Sequence, residues 1–309
     1  MFWKVLRGGE IIMNDLISVI MSTYNESNEE IRKSVNSILN QSYSNIEFII
    51  VIDNPNNQEL ISCLQSFNDS RIKIIKNSEN IGLVKSLNKA ITASKGHYIA
   101  RMDADDISKP ARLEKQLEEL KMRDLDIIGG NLELINEKGE FISRLNFPSN
   151  HKVLEIFLKW GNCLPHPTWI VKKDVYIKLN GYRNIPRCED YDFICRALQN
   201  NFRIGNINDV VLQYRIRSDS ISNSNKGAQY VLRRFISKNR KKGVSENSVN
   251  KYLNSASFVN EIDEYEIFQQ LKKDVREHPN LKKVIKLILN RNTYYLGYEK
   301  ICIKIRNLL

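Results

Sequence analysis

Four short apolar runs alternate with helical patterns along the first third of the chain. The runs have the length and β-branched content of buried strands, and they cover residues 16–22, 46–53, 71–77 and 97–103. Two of the intervening segments repeat apolar side chains at the spacing of one helix face. These are Ile31, Val35, Ile38 and Leu39, then Leu83, Leu87, Ala90 and Ile91. The alternation predicts an α/β domain with a Rossmann-like, mostly parallel sheet flanked by helices.

The pattern changes after a helix that we expect to begin at Pro110. Residues 126–136 and 210–216 read as strands, residues 189–201 read as a helix, and the segments between them are mixed. In open α/β sheets, ligands bind outside the carboxyl ends of the strands. We therefore expect a ligand site at those ends in the first half, and a pocket for a second substrate shaped by the second half.

Positive charge is concentrated near the end of the chain. The 309 residues have a formal net charge of +11. Residues 226–309 hold 18 Lys and Arg against 8 Asp and Glu, whereas the remainder holds 29 against 28. This asymmetry suggests two regions with different surroundings. We expect an N-terminal tail at residues 1–14, a main domain at residues 15–225 and a basic, mainly helical region at residues 226–309.

Composition excludes several protein classes. Hydrophobic residues make up 42% and charged residues 27%, and no run of about 18 apolar residues is present to cross a bilayer. The five cysteines lack paired metal-type spacing, so we expect reduced thiols in a cytosolic protein. The opening MFWKVLRGGEII lacks the apolar core of a signal peptide. We interpret it as a disordered tail, or as sequence upstream of a start at Met13.

Three carboxylates directly follow the fourth apolar run. Asp103, Asp105 and Asp106 stand in the segment RMDADDISKP. At the end of a strand, side chains two residues apart point to one side, close enough to share a divalent cation, and Mg²⁺ or Mn²⁺ prefers oxygen ligands. Two interpretations stay open. One is a metal-diphosphate site, and the other is a set of loop carboxylates favoured by the positive end of the helix at Pro110.

Four motifs occur in order through the first half of the chain. They are SVIMSTYNE, FIIVID, NIGLVKSLNKAI and YIARMDADDISKPARLEKQ. Together they resemble the family 2 glycosyltransferases of the GT-A fold, over residues 17–222, and the bacterial enzymes that build capsular, exopolysaccharide or O-antigen chains. The resemblance implies inverting transfer of a sugar from a nucleotide-sugar donor, with a UDP-sugar as the expected donor, to a glycan or lipid-linked acceptor. It also implies Mn²⁺ or Mg²⁺ as the cofactor.

The resemblance implies donor-binding roles for the segment STYNE. Thr23, Tyr24, Asn25 and Glu26 would line the nucleotide-base pocket. The alternative is a polar turn that caps the following helix, which accounts for Asn25 and Ser27 almost as well.

Three further residues belong to the donor side by the same resemblance. Asp53 matches the family's acidic residue that binds the uracil ring, although DNPNN replaces the usual Asp-Gly-Ser surroundings. Arg101 is either a phosphate contact or a solvated strand residue. Arg217 stands where the family often has histidine. Because a cation cannot ligate a metal, we expect Arg217 to hold the diphosphate.

Within the carboxylate cluster the resemblance implies separate roles. Asp105 would ligate the metal directly, and Asp103 would contact the metal or the ribose. Asp106 would not touch the metal but would support the Asp103 and Asp105 side chains. A metal held there neutralises the departing diphosphate and stabilises charge that grows in the transition state.

The motif CEDYDFICRAL resembles the family's Glu-Asp motif at the start of an acceptor-side helix. Inversion requires the acceptor hydroxyl to attack opposite the leaving diphosphate while a carboxylate takes its proton. The resemblance implies that Asp190 is this base and that Glu189 orients the acceptor or the base. Without the resemblance, the motif would be explained equally well by two acidic residues that are favoured at a helix N-terminus. His166, between two prolines, is either an acceptor-side residue or a structural histidine.

The basic region contains the segment NLKKVIKLILNRN, whose Leu281, Val284, Ile285 and Ile288 share a helical face. One interpretation is a peripheral contact with an anionic membrane that carries the acceptor, at the inner face of the cytoplasmic membrane. The other is a helix packed on the main domain with its lysines in solvent. We expect no nucleic-acid partner, because the chain has no RNA- or DNA-binding motif.

Two rival functions compete with glycosyl transfer. A sugar-phosphate nucleotidyltransferase also uses a parallel sheet and Mg²⁺, but it opens with a glycine-rich phosphate loop where this chain has STYNES. A non-catalytic relative that binds sugar nucleotides would not need Asp53, Asp103, Asp105 and Asp190 together. The residues therefore favour the transferase.

Overall fold

The computed structural model describes residues 15–217, 226–277 and 290. The expected N-terminal tail lies outside the described residues. So do most of the predicted boundary near residues 222–227 and nearly all of the amphipathic basic segment after residue 277.

The first half of the chain forms the succession of strands and helices that its pattern predicts. The strands are β1 (Ile17–Thr23), β2 (Ile46–Ile52), β3 (Ile72–Lys76) and β4 (Tyr98–Asp103), and the helices between them are α1 (Asn28–Leu39), α2 (Gln58–Gln65) and α3 (Leu83–Ala93). The four strand predictions agree with the structure to within a residue or so at each end, the usual uncertainty of such boundaries.

The second half is more irregular. Its elements up to the last strand are β5 (Ile107–Ser108), α4 (Arg112–Met122), β6 (Ile127–Ile135), β7 (Phe141–Leu145), α5 (His151–Phe157), β8 (Ile170–Lys172), α6 (Lys173–Leu179), α7 (Glu189–Gln199) and β9 (Ile204–Arg215), with a short 3-10 helix (His166–Thr168) before β8. Helices α8 (Lys226–Asn239), α9 (Glu246–Leu253) and α10 (Ala256–Glu277) follow. Helix α4 begins two residues after Pro110, because Pro110 and Ala111 still belong to a turn.

One sheet joins both halves. Strands β3, β2, β1 and β4 lie side by side in that order and are parallel. Beyond β4 the sheet becomes mixed, since β8 is antiparallel to β4 and β6 is antiparallel to β8 but parallel to β9. The predicted fold class, an α/β fold with a mostly parallel sheet flanked by helices, is confirmed. The carboxyl ends of β1, β2 and β4 meet at one edge, where the pattern places the ligand site.

Apolar side chains bury both faces of this sheet. Alternate residues of β1 enter different clusters, as the two-residue period of a strand requires. Ile20 belongs to the cluster that contains Leu87 of α3, and Val19 belongs to the cluster that contains Ile31 of α1. The strands that end at the expected ligand site are therefore held by core packing on both faces of the sheet.

Part of the C-terminal region belongs to this core as well. Leu232 and Ile236 of α8 and Val249 of α9 lie in the same cluster as Trp169 and Tyr191 of the second half. These two helices are therefore held against the main domain.

The described helices include none that is both long enough and apolar enough to cross a bilayer. The four described cysteines, Cys63, Cys163, Cys188 and Cys195, are buried and form no disulfide with one another.

Candidate active site

The ends of three parallel strands gather the donor-side residues. Thr23 is the last residue of β1, Asp53 follows β2 directly, and Asp103 ends β4. Register pairs Thr23 with the last residue of β2 and Ser22 with Asp103. The sheet thus brings together residues that lie 80 positions apart in the sequence.

A network of short hydrogen bonds shapes the segment after β1. The Thr23 hydroxyl donates to Glu26 Oε2 at 2.6 Å, and the Tyr24 N–H donates to the same oxygen at 2.8 Å. Asn25 Oδ1 accepts from Asn54 Nδ2 at 2.7 Å, which ties the segment to the turn after β2. Tyr24 is 43% exposed and free to present its ring to a ligand. The four predicted base-pocket residues therefore form one connected loop.

The alternative for this segment, a polar turn that caps α1, also describes it correctly. Ser27 is the N-cap of α1, and its hydroxyl oxygen accepts from the Glu30 N–H while the Glu30 carboxylate accepts from the Ser27 N–H. This capping box satisfies two helix-end donors and fixes the direction in which the loop leaves β1. Capping and ligand binding are compatible uses of the same loop.

Asp53 is buried and holds the loop that precedes α3. Its Oδ1 accepts from Asn77 Nδ2 at 2.8 Å and from the Ile81 N–H at 2.9 Å, and its Oδ2 accepts from the Gly82 N–H at 2.9 Å. Gly82, with φ of 84°, occupies the left-handed region that favours glycine. Since a carboxylate has about four acceptor positions, Oδ2 keeps capacity for one more donor, such as a base N–H.

The three carboxylates after β4 differ in how they are compensated. Asp103 forms an ion pair with Arg101. Burial and the negative charges of Asp103 and Glu26 raise the pKa of Asp105 to about 7. Asp106 is fully buried, and its pKa lies well above the usual range because of burial and the charges of its two neighbours. The cluster therefore contains two carboxyl groups, Asp105 and Asp106, whose charged forms are disfavoured by burial and by their acidic neighbours.

Two arginines from the end of β9 approach this cluster. Arg215 is 3% exposed; its N–H donates to Asp106 Oδ1 and its Nε to the Asp105 carbonyl, both at 2.9 Å. The Arg217 guanidinium lies 3.7 Å from Asp105 Oδ2 and 3.8 Å from Glu30 Oε1. Arg215 anchors the carboxylate loop to the sheet, whereas Arg217 stands beside the open carboxylate, where a phosphate would meet it.

The donor set fits a hard divalent cation. Asp103 and Asp105 offer partly exposed carboxylate oxygens, and the crowding that raises the pKa of Asp105 is relieved by a cation between them. Within the described residues, no group of three or more His, Cys, Asp or Glu side chains could hold a metal ion. A cation would thus take only two side chains from the protein and its other oxygens from the diphosphate and water.

Arg101 is 2% exposed, so the interpretation as a solvated strand residue is wrong. Its guanidinium bonds to Asp103 and to the Met102 carbonyl. Its positive charge also acts on Tyr182, Tyr176 and Glu189 in the second half of the chain. Arg101 therefore connects the donor-side carboxylates with the acceptor side.

Glu189 and Asp190 begin α7, where the helix end attracts negative charge. Asp190 Oδ2 accepts from Asn162 Nδ2 at 2.7 Å, and Oδ1 accepts from the Tyr191 N–H at 2.6 Å. Burial raises the pKa of Asp190 against these hydrogen bonds. Burial and the charge of Asp190 raise the pKa of Glu189 to about 7. Glu189 and Asp190 are both still partly exposed, so solvent and a substrate can reach them.

His166 has a structural environment. It is buried, its Nε2 lies 2.8 Å from Tyr182 Oη, and its ring packs edge-on against Trp169 at 4.6 Å between centroids. Burial and the charge of Arg101 hold the pKa of His166 well below its usual range. The histidine is therefore neutral and positions the aromatic cluster under α7, while its contact with an acceptor stays a prediction.

Several functional residues have no signal in the sequence. Asn162 holds Asp190 from a loop that has no recognisable motif. Asn77 holds Asp53 and also receives a hydrogen bond from Lys89. Arg215 is the exception, because it ends β9 only two positions before Arg217, which the sequence already indicated.

Comparison with known proteins identifies close sequence relatives. The model of "Glycosyl transferase family 2" matches residues 18–179. The chain is 40% identical over 233 residues to the O-antigen biosynthesis glycosyltransferase WbnJ of Escherichia coli, which covers 72% of this chain and 90% of that protein. It is 28% identical over 212 residues to UDP-Glc:alpha-D-GlcNAc-diphosphoundecaprenol beta-1,3-glucosyltransferase WfgD of Escherichia coli, over 68% of this chain and 80% of that protein.

A solved structure shares the fold. The mannosyltransferase PcManGT from Pyrobaculum calidifontis, in complex with GDP-Man and Mn²⁺, superposes with a TM-score of 0.59 over 96% of this chain and 88% of that one. The two sequences are 16% identical, so the similarity concerns the fold.

Proposed function

Because this chain belongs to glycosyl transferase family 2, we propose that it moves a sugar, with inversion, from a nucleotide-sugar donor to a hydroxyl of an acceptor glycan. The observation that carries the proposal is the position of two carboxylate pairs. Asp103 ends β4 and Asp105 follows it in the next turn, Glu189 and Asp190 begin α7, and the charges of Asp103 and Arg101 both act on Glu189. One acidic pair is therefore available to the leaving diphosphate and the other to the attacking hydroxyl, and the two pairs lie close enough to interact electrostatically.

The donor occupies the ends of β1, β2 and β4 in this proposal. The loop at Tyr24 and the free acceptor capacity of Asp53 Oδ2 suit a nucleoside base with an N–H, such as uracil. A UDP-sugar is supported by the relative named for UDP-Glc, whereas the fold neighbour holds GDP-Man. Arg217 faces the diphosphate, since guanidinium forks match phosphate oxygens.

Asp105 and Asp103 are the residues that would hold a divalent cation, Mn²⁺ or Mg²⁺. When bound, such a cation neutralises charge on the leaving diphosphate. The protein's own part is to keep both carboxylates directed at one point, through the ion pair of Arg101 and through the hydrogen bonds of Arg215 to the loop.

Asp190 is the general base of the proposed reaction. The acceptor oxygen forms a bond to the anomeric carbon, the bond from that carbon to the diphosphate oxygen breaks, and its electron pair leaves with the diphosphate. The hydroxyl proton moves to Asp190, whose second oxygen stays fixed by Asn162. Attack from the face opposite the diphosphate inverts the anomeric centre. Glu189 and the neutral His166 are assigned to the acceptor side.

The acceptor belongs to bacterial surface-polysaccharide assembly in this proposal. WbnJ is named for O-antigen biosynthesis, and WfgD is named for an acceptor sugar linked to diphosphoundecaprenol. A lipid-linked acceptor would bring the enzyme to the cytoplasmic face of the membrane, with the catalytic domain at residues 15–225 and the basic region at residues 226–309 beside it. The amphipathic segment after residue 277 would then contact anionic lipid.

Calorimetric titration of the purified protein with UDP and with GDP, each with Mn²⁺, Mg²⁺ or EDTA, tests the donor site. We expect metal-dependent binding of UDP, followed by transfer from a UDP-sugar whose product shows an inverted anomeric configuration by NMR. Binding of neither nucleotide under any condition would contradict the proposal, and a retained configuration would contradict the role of Asp190.

A further inference from the structure

Two buried polar side chains of α4 reach the strand that carries the donor-side carboxylates. Arg112 and Gln116 are both buried, and Arg112 Nε donates to Gln116 Oε1 at 3.0 Å. Residues four positions apart lie on one face of a helix, so the two side chains act as a pair. Burial lowers the pKa of Arg112 to about 9, while the charges of Asp106 and Asp103 oppose this fall. A cation in such a place costs free energy of desolvation, which its hydrogen bonds must offset.

Arg112 holds the main chain of β4 just before the donor-side carboxylates. Its Nη2 donates to the Arg101 carbonyl at 2.7 Å, and its Nη1 lies 3.5 Å from Met102 Sδ. Arg101 in turn forms the ion pair with Asp103 at the end of the strand. Because these contacts come from different nitrogens of one rigid guanidinium, Arg112 fixes both the position and the orientation of the segment that leads to Asp103.

Gln116 holds a second segment, the short 3-10 helix before β8. Its Nε2 donates to the Thr168 carbonyl at 2.8 Å. Two further hydrogen bonds join this 3-10 helix and the residue after it to the loop that precedes it. The Thr168 hydroxyl donates to the Pro165 carbonyl at 2.7 Å, and Trp169 Nε1 donates to the Leu164 carbonyl at 3.0 Å. Gln116 is therefore connected to that loop through hydrogen bonds.

Asn162 joins the same loop to the proposed base. Its Oδ1 accepts from the Leu164 N–H at 3.0 Å, and its Nδ2 donates to Asp190 Oδ2 at 2.7 Å. The segment is also bonded directly to β4, because the Arg101 N–H donates to the Trp169 carbonyl at 2.9 Å. The strand β4, the helix α4 and the loop that holds Asp190 are therefore joined by hydrogen bonds between identified atoms.

We propose that Arg112 and Gln116 are positioning residues that fix the distance between the donor-side carboxylates and Asp190. This inference rests on the proposed function, because it concerns the geometry of the same reaction. Both side chains are buried and do not touch a substrate, since Arg112 contacts the strand that ends at Asp103 and Gln116 contacts the Thr168 carbonyl. The acceptor hydroxyl must attack opposite the diphosphate, and a displacement of about 1 Å in such a geometry can lower the rate about 10²-fold.

The test compares Gln116→Met with the matched control Ser18→Ala. Methionine has a length similar to that of glutamine but makes neither of the two hydrogen bonds. Ser18 is also buried and makes two, since its hydroxyl donates to Glu47 Oε1 at 2.6 Å and accepts from the Gly96 N–H at 2.8 Å. It stands near the start of β1, at the end of the sheet away from the candidate active site. Arg112→Lys is the milder second variant, because it keeps the charge but loses the guanidinium fork.

We expect Gln116→Met to lower kcat about tenfold, while the donor KM and the Kd of UDP with Mn²⁺ stay within about twofold. Arg112→Lys should lower kcat severalfold with the same unchanged binding. Ser18→Ala should lower the unfolding midpoint by a similar amount and leave kcat unchanged, because lost buried hydrogen bonds cost stability wherever they lie.

The inference would be overturned if Gln116→Met and Arg112→Lys retained the kcat of Ser18→Ala. It would also be overturned if UDP binding fell as much as kcat, because the donor site itself would then be damaged. If Gln116→Met does not fold, the comparison of Arg112→Lys with Ser18→Ala decides by the same two criteria.

A double variant tests the connection through Asn162. If Gln116 acts on Asp190 through the Asn162 loop, Gln116→Met/Asn162→Ala should lose clearly less activity than the product of the two single losses. Losses that multiply would overturn the inference, since the two residues would then act independently. Failure of the proposed function has a different signature. Metal-dependent UDP binding and transfer would then be absent from the unchanged protein, whereas failure of this inference leaves both intact there.

Discussion

The two carboxylate pairs of the active site have similar charge but different surroundings. Asp103 and Asp105 stand at the end of a parallel strand, with Arg101 on one side and Arg217 on the other. Glu189 and Asp190 stand at the start of α7, and Asp190 accepts hydrogen bonds from Asn162 and from the Tyr191 N–H. Among the described residues, the first pair has two further carboxyl groups beside it, Glu26 and Asp106.

This difference indicates two kinds of chemistry. Crowded carboxylates with excess negative charge favour a cation, which the leaving diphosphate shares. A carboxylate with a raised pKa and one fixed orientation suits proton transfer, since efficient bases have pKa values near the working pH. In the proposed reaction, Asp103 and Asp105 therefore hold the cation that the diphosphate shares, and Asp190 takes the proton of the acceptor hydroxyl.

The largest effect should come from Asp190→Asn. The amide keeps the size of the side chain but cannot take the hydroxyl proton, so we expect transfer to fall about 10²–10⁴-fold. Binding of UDP with Mn²⁺ should stay within about twofold, because the donor pair is untouched. The measurements are the transfer rate and calorimetric titration of the same preparation. Turnover close to that of the unchanged protein would remove Asp190 from the mechanism.

The next effect should come from Asp105→Ala on metal-dependent nucleotide binding. Loss of an outer partner of a metal ligand typically costs 10–100-fold in metal affinity, and loss of the ligand itself should cost about 100-fold or more. The control is Asp209→Ala, an exposed carboxylate that pairs with Lys115 far from both pairs. Equal losses in the two variants would mean that the donor pair holds no cation.

The donor half could be predicted from the sequence because its signals are local. Buried parallel strands appear as apolar runs, and Asp53, Asp103 and Asp105 occur where those runs end. The fold class, the family and the four strands are confirmed. The surroundings of individual side chains on these strands could not be predicted from the same local signals. Arg101 follows a strand pattern that does not show whether its charge faces solvent or the core.

The acceptor half depends on contacts between distant segments. Asn162 meets Asp190 across 28 positions, and Arg233 approaches it from α8, 43 positions later in the chain. Such contacts arise when irregular loops and helices pack together, and no hydrophobic periodicity in the sequence predicts them. The sequence correctly predicts where the helix at residues 189–201 starts, but the aromatic cluster around His166 could not be derived before the structure.

The pH dependence of transfer should show whether Glu189 and Asp190 titrate together. Glu189 and Asp190 repel each other, and the pKa of Glu189 is about 7. Because burial raises the pKa of the base Asp190, transfer should fall on the acidic side by up to tenfold per pH unit as Asp190 becomes protonated, and this limb should lie at higher pH than an ordinary carboxyl would give. Glu189→Gln removes a negative charge, lowers the pKa of Asp190, and should move this acidic limb to lower pH. The check is the pH profile of kcat/KM, and a limb that stays in place would show that the two carboxyls titrate independently.

The smallest effect should come from Asn162→Ala, and its direction should be opposite to that of Glu189→Gln. Without the Asn162 amide, the Asp190 carboxylate loses a hydrogen bond to its charged form, so its pKa rises and the acidic limb moves to higher pH. A loss of about 1 kcal/mol corresponds to a shift of somewhat less than one pH unit, with a severalfold lower rate on the acidic limb. Asn150→Ala provides the matched control, because Asn150 only caps α5. It should lower the free energy of unfolding by a comparable amount and leave the limb unchanged. If both asparagine variants moved the limb equally, Asn162 would contribute to stability alone, and the orientation of Asp190 would have to come from the Tyr191 N–H.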